Sequence, residues 1–444
     1  VLRWGEAAVS FQALEPGISW WQDTAGGGAF VAYADTGTAW VGVGHPFSPP
    51  EERDAVAARF AAAAQAAKRR VVWFGAEGGR QGAQWSAMVV GEQPWFDPRR
   101  WAERLGSFRR LREQLRRARA KGVDVRRVAA EELSDGSSLR CEVERLDRLW
   151  LASRSMAPMG FVVRLEPFIA PELHRYYVAE RCGTVIAFLS LVPIPGRDGW
   201  LFEDLVRAPG APNGTSEVLI DAAMRDIGAE GCGAATLGLA PLVGDSPGWL
   251  RAIAQVTRPL YDFQGVARFK RRLHPERWEA VHLIVRRGAF GVGSLVELLR
   301  AFAGGPLWHF GLRTLAHHPG AIALALALPL VPWTVLLAGV WVAGASSVLG
   351  FSPPELGAWV AFDTLLAAAL WRAARHPTPA LLGLLTAAAG VDGALSLAHL
   401  ADAGMGEAGW VAAALRMLAT AAPVVGTAAL AAATALSVGL RSRR

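Results

Sequence analysis

The chain is poor in cysteine. It holds three, Cys141, Cys182 and Cys232, which cannot all pair and have no metal-ligand spacing. A disulfide framework is therefore excluded, and a reducing compartment is expected for the charged part. His45, His274 and His282 also lack metal spacing, so no metal site is expected. Val1 to Glu6 contains no continuous apolar stretch, and no signal peptide is read there. Charge becomes sparse after roughly the first 300 residues, which marks a change of environment along the chain. Negative charge is outnumbered overall. The net charge is +7, which points to an anionic partner: membrane lipid, nucleic acid or both.

Long apolar runs fill the charge-poor third. Ala321 to Gly344 is an uncharged run of 24 residues, enough for a helix to cross a bilayer. Pro329 and Pro332 are expected to kink it. Leu356 to Trp371, Ala380 to Leu400 and Trp410 to Leu440 are three further candidates, holding Asp363, Asp392 and Arg416 respectively. The flanks alternate in charge. Arg286, Arg287, Arg300, Arg313, His317 and His318 precede the first run, and Arg372 and Arg375 follow the second. The tail ends Arg441-Ser442-Arg443-Arg444, while the loops 346–355 and 401–409 hold no Lys or Arg. The positive-inside rule then implies four spans with both ends cytoplasmic. Asp363 and Asp392 fall near mid-bilayer, where an ionisable group faces a partner or a polar cavity. They fit an interhelical contact or the handling of a lipid headgroup.

The charged part, at 444 residues in total, leaves room for two domains beside the membrane region. Strand-like segments at 29–33 and 38–44, an Ala-rich helical stretch at 51–68 and a buried strand at 71–74 make a first α/β unit. A helix is expected over 98–121. From Pro98 to Arg127 there are twelve Lys or Arg against Glu103, Glu113 and Asp124. That excess fits phosphate contact or a solvated face. The second unit repeats the pattern. It has a helix at 142–155, paired strands at 176–180 and 184–193 joined at Arg181-Cys182-Gly183, and a strand at 200–206. A helix at 215–230 and strands at 234–239 and 281–285 follow. This order is that of an acetyltransferase-like (GNAT) core. The expected architecture is two tandem GNAT-like α/β units, 1–140 and 141–290, a juxtamembrane linker at 291–318 and an all-α region of four membrane helices at 319–444.

One cluster of residues resists explanation by packing. Glu203-Asp204-Leu205-Val206-Arg207 is followed by Ala211-Pro212-Asn213-Gly214-Thr215, then Leu237-Gly238-Leu239-Ala240-Pro241-Leu242. With Ser107 to Arg112, with Leu260 to Gly265, and with Phe269-Lys270 and His274-Pro275, these segments resemble the catalytic domain of the phosphatidylglycerol lysyltransferase family. The resemblance runs through most of residues 25–285. Trp40 to Pro46 resembles a Gly-Asp-Pro motif with His45 in place of the Asp. The family usually carries its membrane helices ahead of this domain; here they follow it, so the resemblance implies an anchor or lipid entrance rather than a flippase.

The resemblance implies a membrane-bound aminoacyltransferase in the inner membrane. It would move an amino acid from aminoacyl-tRNA to phosphatidylglycerol or a related anionic lipid, without a cofactor. One ester is exchanged for another, so the protein must chiefly position a lipid hydroxyl against an activated carbonyl. Asp204 is the first candidate for the base that takes the hydroxyl proton, and Glu217 the second. Arg207 and Lys270 can hold a phosphate, Arg207 through a bidentate fork. Backbone N–H groups at Asn213, Gly214 and Thr215, opening a helix, suit a phosphate or an oxyanion. Arg109 and Arg110, in the segment that resembles the family's basic helix, are candidates for substrate contact. Asp204 with Arg207 also fits a structural ion pair, and Asn213-Gly214 also fits a turn with Thr215 as N-cap. Two other functions stay open. An acyl-coenzyme A donor would require a Gln/Arg-x-x-Gly-x-Gly/Ala loop, whose place Pro212 to Thr215 occupies. A non-catalytic module binding lipid or RNA would need only the basic stretch and the spans. Lysine, alanine and arginine all remain open as the transferred amino acid.

Overall fold

The computed structural model describes residues 1–77, 85–154, 156–251, 261–287, 292–316, 319–346, 351–403, 424–431 and 434. Two compact units divide between Phe310 and Gly311.

The first unit is built on one continuous twelve-stranded sheet. Its first half contains β1 (Ser19–Gln22), β2 (Phe30–Asp35), β3 (Ala39–Val43), α1 (Arg53–Ala66) and β4 (Arg70–Glu77). β1, β2 and β3 pair antiparallel, and β4 returns parallel to β3. β5 (Trp85–Phe96), α2 (Trp101–Leu105), α3 (Arg109–Ala120), β6 (Asp124–Val128) and α4 (Ser138–Ala152) come next. The second half repeats the first with β7 (Arg175–Arg181), β8 (Thr184–Ile194), β9 (Gly199–Arg207), α5 (Thr215–Ala229) and β10 (Ala234–Thr236). β10 is again parallel to the strand before the helix. β11 (Ala240–Pro241), α6 (Phe263–Arg271) and β12 (Arg277–Arg286) close the pattern.

The halves exchange their closing strands. β5 follows β4 in sequence but pairs with β10, while β12 follows β10 but pairs with β4. β5 and β12 then pair with each other at the centre of the sheet. The two expected units are thus interlocked, and the expected boundary at 140/141 runs through α4. The stretch expected as a linker opens with a helix, Val292–Ala303, whose Leu298 and Ala301 enter the same core as Val72, Phe74 and Leu283.

Local sequence accounts for the turns. Cys182 and Gly183 both have positive φ, the type I′ geometry that matches strand twist in a two-residue hairpin, and Arg181 pairs with Thr184. The helix expected over 98–121 is interrupted: α2 stops at Leu105 and α3 starts at Arg109. Between them Phe108 turns in to stack on His274 at 4.0 Å. One face of the second half-sheet is covered by α3 and α5, through Leu115, Leu219 and Met224 packed on Leu189 and Phe202. The other face is covered by α4, through Val143 and Leu146 on Tyr176, Phe188 and Val206. Each fully buried Leu or Phe contributes roughly 1.5–3 kcal/mol by leaving water.

In the second unit, three helices are long and apolar enough to cross a membrane: Gly320–Val342, Pro353–Arg375 and Pro379–Ser396. The first runs on through Pro329 and Pro332. Small residues let them pack: Ala323, Ala327, Ala373 and Ala389 share a cluster with Leu366, Leu382 and Leu385. Leu328, Val335, Leu365 and Leu384 point outward and are exposed, a surface suited to lipid rather than water. The fourth expected span, 410–440, lies outside the described residues except for 424–431 and 434, and Arg416, His317, His318 and the tail at 441–444 also lie outside them.

Candidate active site

β9 carries the candidate base. Across β8 and β9, Leu189 faces Leu205 and Leu191 faces Phe202, so Ser190 alone opposes both Glu203 and Asp204. This is a β-bulge, the device that re-aims side chains beside functional sites. Leu189 and Phe202 belong to the core under α5, whereas Asp204 joins Ser190 on the opposite face. Ser190 Oγ donates to Asp204 Oδ2 at 3.1 Å. Asp204 is 7% exposed and has no cation in contact among the described residues. Burial and the neighbouring Glu203 carboxylate push its pKa well above the usual range, and the Ser190 hydroxyl opposes that shift.

Arg207 ends the same strand. It lies opposite Ala187, which faces α5, so Asp204 and Arg207 project to different faces and form no ion pair. Arg207 has no carboxylate partner among the described residues. Arg154, two residues beyond the end of α4, also has none among the described residues. The Arg154 pKa is lowered by burial, raised by Tyr261 and lowered again by Arg207. The Arg154 guanidinium itself lies over the Trp150 ring and donates to Ser153 Oγ at 3.1 Å.

The remaining expected residues occupy three other settings. Glu217, in the first turn of α5, is buried and accepts from Gln114 Nε2 of α3 at 2.7 Å. The sheet stands between it and Asp204. Asn213 is exposed, Gly214 has φ +98° and Thr215 is fully buried. Thr215 Oγ1 donates to the Pro212 carbonyl at 2.7 Å rather than capping the helix. A Cβ on Gly214 would stand 2.9 Å from the Gln114 carbonyl oxygen, so α3 packs directly on this turn.

Lys270 lies inside. Its Nζ donates to the carbonyls of Leu237, Gly238 and Leu239, each at 2.8 Å. The strand expected over 234–239 stops at Thr236, because beyond it these carbonyls turn to the lysine. All three ammonium donors are occupied, and burial moves the pKa down to about 7. Arg109 and Arg110 open α3, exposed and without carboxylate partners among the described residues. Farther along the helix, Arg116 and Arg117 pair with Glu113, and Arg119 with Asp221. Among the described residues, the arginines of α3 without carboxylate partners are therefore those of its first turn, Arg109, Arg110 and Arg112.

Sequence reading did not single out Ser190, Arg154, Gln12, Glu15 or His174. No local motif marks them; their proximity to β9 comes from the bulge and from chain segments distant in sequence. Among the described residues no group of three His, Cys, Asp or Glu is arranged to hold a metal ion.

The family described as "Phosphatidylglycerol lysyltransferase, C-terminal" matches residues 1–285. No curated protein matches the chain. Among solved structures, the C-terminal domain of a protein named as a lysylphosphatidylglycerol synthetase from Agrobacterium fabrum is similar, with a TM-score of 0.59 and 21% identity. It covers 68% of this chain and 94% of that one. L-PGS from Bacillus licheniformis has a TM-score of 0.57 and 18% identity, covering 68% of this chain and 94% of its own. At these identities the likeness is one of fold, and it extends over the interlocked sheet with its GNAT-like halves.

Proposed function

The chain belongs to the phosphatidylglycerol lysyltransferase C-terminal family, and from that premise we propose that it transfers an amino acid from aminoacyl-tRNA to an anionic phospholipid at a membrane. The observation that carries this reading is the end of β9. A buried carboxyl, Asp204, is held there by Ser190, and Arg207, without a carboxylate partner among the described residues, ends the same strand.

In this reading Asp204 takes the proton of the lipid glycerol hydroxyl as that oxygen attacks the aminoacyl ester carbonyl. The tRNA ribose oxygen leaves and is protonated, so one ester replaces another. Arg207, on the other face at the strand end, holds a substrate phosphate, and fixing both reactants supplies much of the rate. Arg109 and Arg110 contact the tRNA backbone. The apolar helices keep the enzyme at its lipid, in the inner membrane with the catalytic unit on the cytoplasmic side, where aminoacyl-tRNA is found.

The test is lipid mass spectrometry of cells expressing the full chain. Aminoacylated phosphatidylglycerol is expected with the parent protein and absent with Asp204→Asn or Arg207→Ala at equal protein level. Unchanged lipids with well-expressed, membrane-inserted parent protein would refute the reading.

A further inference from the structure

One buried carboxyl has no role in the chemistry above. Asp147 lies on α4, the helix that covers the Asp204 face of the sheet. Leu139, Val143, Leu146 and Trp150 form the apolar seam of α4 and pack with Tyr176, Phe188 and Val206. Asp147 is four residues from Val143 and three from Trp150, so it sits beside both on the helix surface that meets the sheet. The pleat fixes what lies beneath. Val206 is two residues past Asp204, Phe188 is two before Ser190, and Tyr176 pairs with Ser190 across β7 and β8. These residues share one face. α4 therefore rests on the side chains that surround the Ser190–Asp204 pair.

A position beside such a seam ordinarily takes an apolar residue. Asp147 is 9% exposed, and its Oδ1 is buried with no hydrogen-bond partner among the described residues. Leaving a carboxyl there costs stability. Burial, reinforced by Glu144 and opposed by Arg148, brings its pKa up to about 7. Around Asp204 itself, Glu203 is the next residue on β9 and accepts from Gln12 of the 3-10 turn Ala8–Leu14. Glu15 follows that turn, buried, with its pKa raised to about 9, so it stays neutral near pH 7. Tyr176 donates to the Pro167 carbonyl at 2.7 Å, and His174 stacks on its ring. Burial, Glu203, Asp147 and Glu15 all favour the proton on Asp204, against the Ser190 hydroxyl. Two carboxyls buried in one layer do not ionise together. Asp147 loses its proton first, and its charge then holds the proton on Asp204.

We propose that Asp147 is a positioning residue for the candidate base: its carboxylate, facing the Ser190–Asp204 pair from α4, makes Asp204 a stronger proton acceptor. This role presupposes the aminoacyl-transfer reading for the reaction it serves. Asp147 exchanges no proton with a substrate and acts through Asp204 alone. Its negative charge and the Ser190 hydroxyl work in opposite directions on the same carboxyl. The serine favours the ionised form, and Asp147 favours the protonated one. A carboxylate that binds its proton more tightly draws one more readily from an attacking hydroxyl, so a destabilising residue in the α4 seam gains a use.

The experiment is an infrared titration of the detergent-solubilised full chain. The band of protonated Asp204 is isolated as the difference between the parent and Asp204→Asn. With Asp147→Asn in both members of the pair, the same band is expected to titrate about one pH unit lower. Asp147→Glu keeps the charge and is expected to return the midpoint toward that of the parent. An unchanged midpoint in Asp147→Asn overturns the proposal. Should that variant fail to fold, Asp147→Leu, which completes the apolar seam, decides by the same measure. The pH–rate profile is the second readout. In Asp147→Asn its rising limb moves to lower pH, and its plateau falls because Asp204 has become the weaker base. A lower plateau with an unmoved limb marks a structural role only and also overturns the proposal. A shifted infrared midpoint without aminoacyl lipid in cells supports the carboxyl pair and sinks the transfer reading. Aminoacyl lipid with an unshifted midpoint does the reverse.

Discussion

Ser190 and Asp204 exchange two hydrogen bonds across the β8–β9 bulge: the serine hydroxyl accepts from the aspartate's own N–H at 3.2 Å and donates to its Oδ2 at 3.1 Å. One side chain thus fixes both the root and the tip of the candidate base. It is also the contact that offsets burial and Glu203 by favouring the carboxylate.

Ser190→Ala removes that support, so the Asp204 pKa is expected to rise further. With Asp204 as general base, activity increases with pH as the carboxyl ionises. The rising limb of the pH–rate profile therefore moves to higher pH in the variant, with most activity regained on the alkaline side. Asp204→Asn loses activity at every pH, by about 10²–10⁴-fold. An unmoved limb in Ser190→Ala means that the profile reports another group.

Glu15 makes stability depend on pH in a defined direction. Its folded pKa is raised from 4.5 to about 9, so across that window the folded state keeps a proton that the unfolded chain has lost. Stability then falls as pH rises from about 4.5 to about 9. Glu15→Gln removes this contribution. Melting curves are expected to show the variant gaining on the parent toward pH 9 and matching it near pH 4.5. A pH-independent difference would contradict the assignment.

Lys270→Met keeps the length of the side chain and removes its donors. The carbonyls of Leu237, Gly238 and Leu239 lose their shared partner, at a cost of about 2–4 kcal/mol. Chemical denaturation measures the loss. Near-parental stability would mean that water or a neighbouring donor replaces the ammonium. That outcome would return Lys270 to consideration as a substrate contact.

Arg109→Ala with Arg110→Ala tests the basic start of α3. Binding of tRNA is expected to weaken uniformly across sequences, and the slope of log K against log salt to fall by about 2. Arg116→Ala with Arg117→Ala is the comparison, since Glu113 already neutralises part of that pair. Its slope is expected to change less. Equal changes would place the contact along the whole helix instead of at its start.

The hairpin at Arg181-Cys182-Gly183, the strand ending at Arg207, the helix beginning at Thr215 and the three apolar helices are all legible in sequence. Each is set by residues close together in the chain: a positive-φ pair, an alternating run, an amphipathic period or an uncharged stretch. β5 is not among the strands expected from sequence, and it holds Gly91 and Pro94, residue types that weaken a strand interior. It forms nonetheless, buried at the centre of the sheet and held by β12 on one side and β10 with β11 on the other. The bulge at Glu203-Asp204 depends on the register of β8, which no residue of β9 reveals. Sequence pattern grouped Asp204, Arg207 and Glu217 because they are near one another in the chain; the pleat and the intervening sheet separate them. Gln12 meets Glu203 across a separation of 191 residues, a contact that only the fold can make.

The exchanged closing strands also constrain how the chain is made. β4 ends at Glu77, yet its inner partner β12 begins only at Arg277. During synthesis the inner edge of the first half-sheet stays open until nearly the whole sheet-bearing unit has left the ribosome. An open edge invites pairing with the wrong strand. Neither half can complete its sheet alone, so the central pairing of β5 with β12 waits until Arg277–Arg286 has been made.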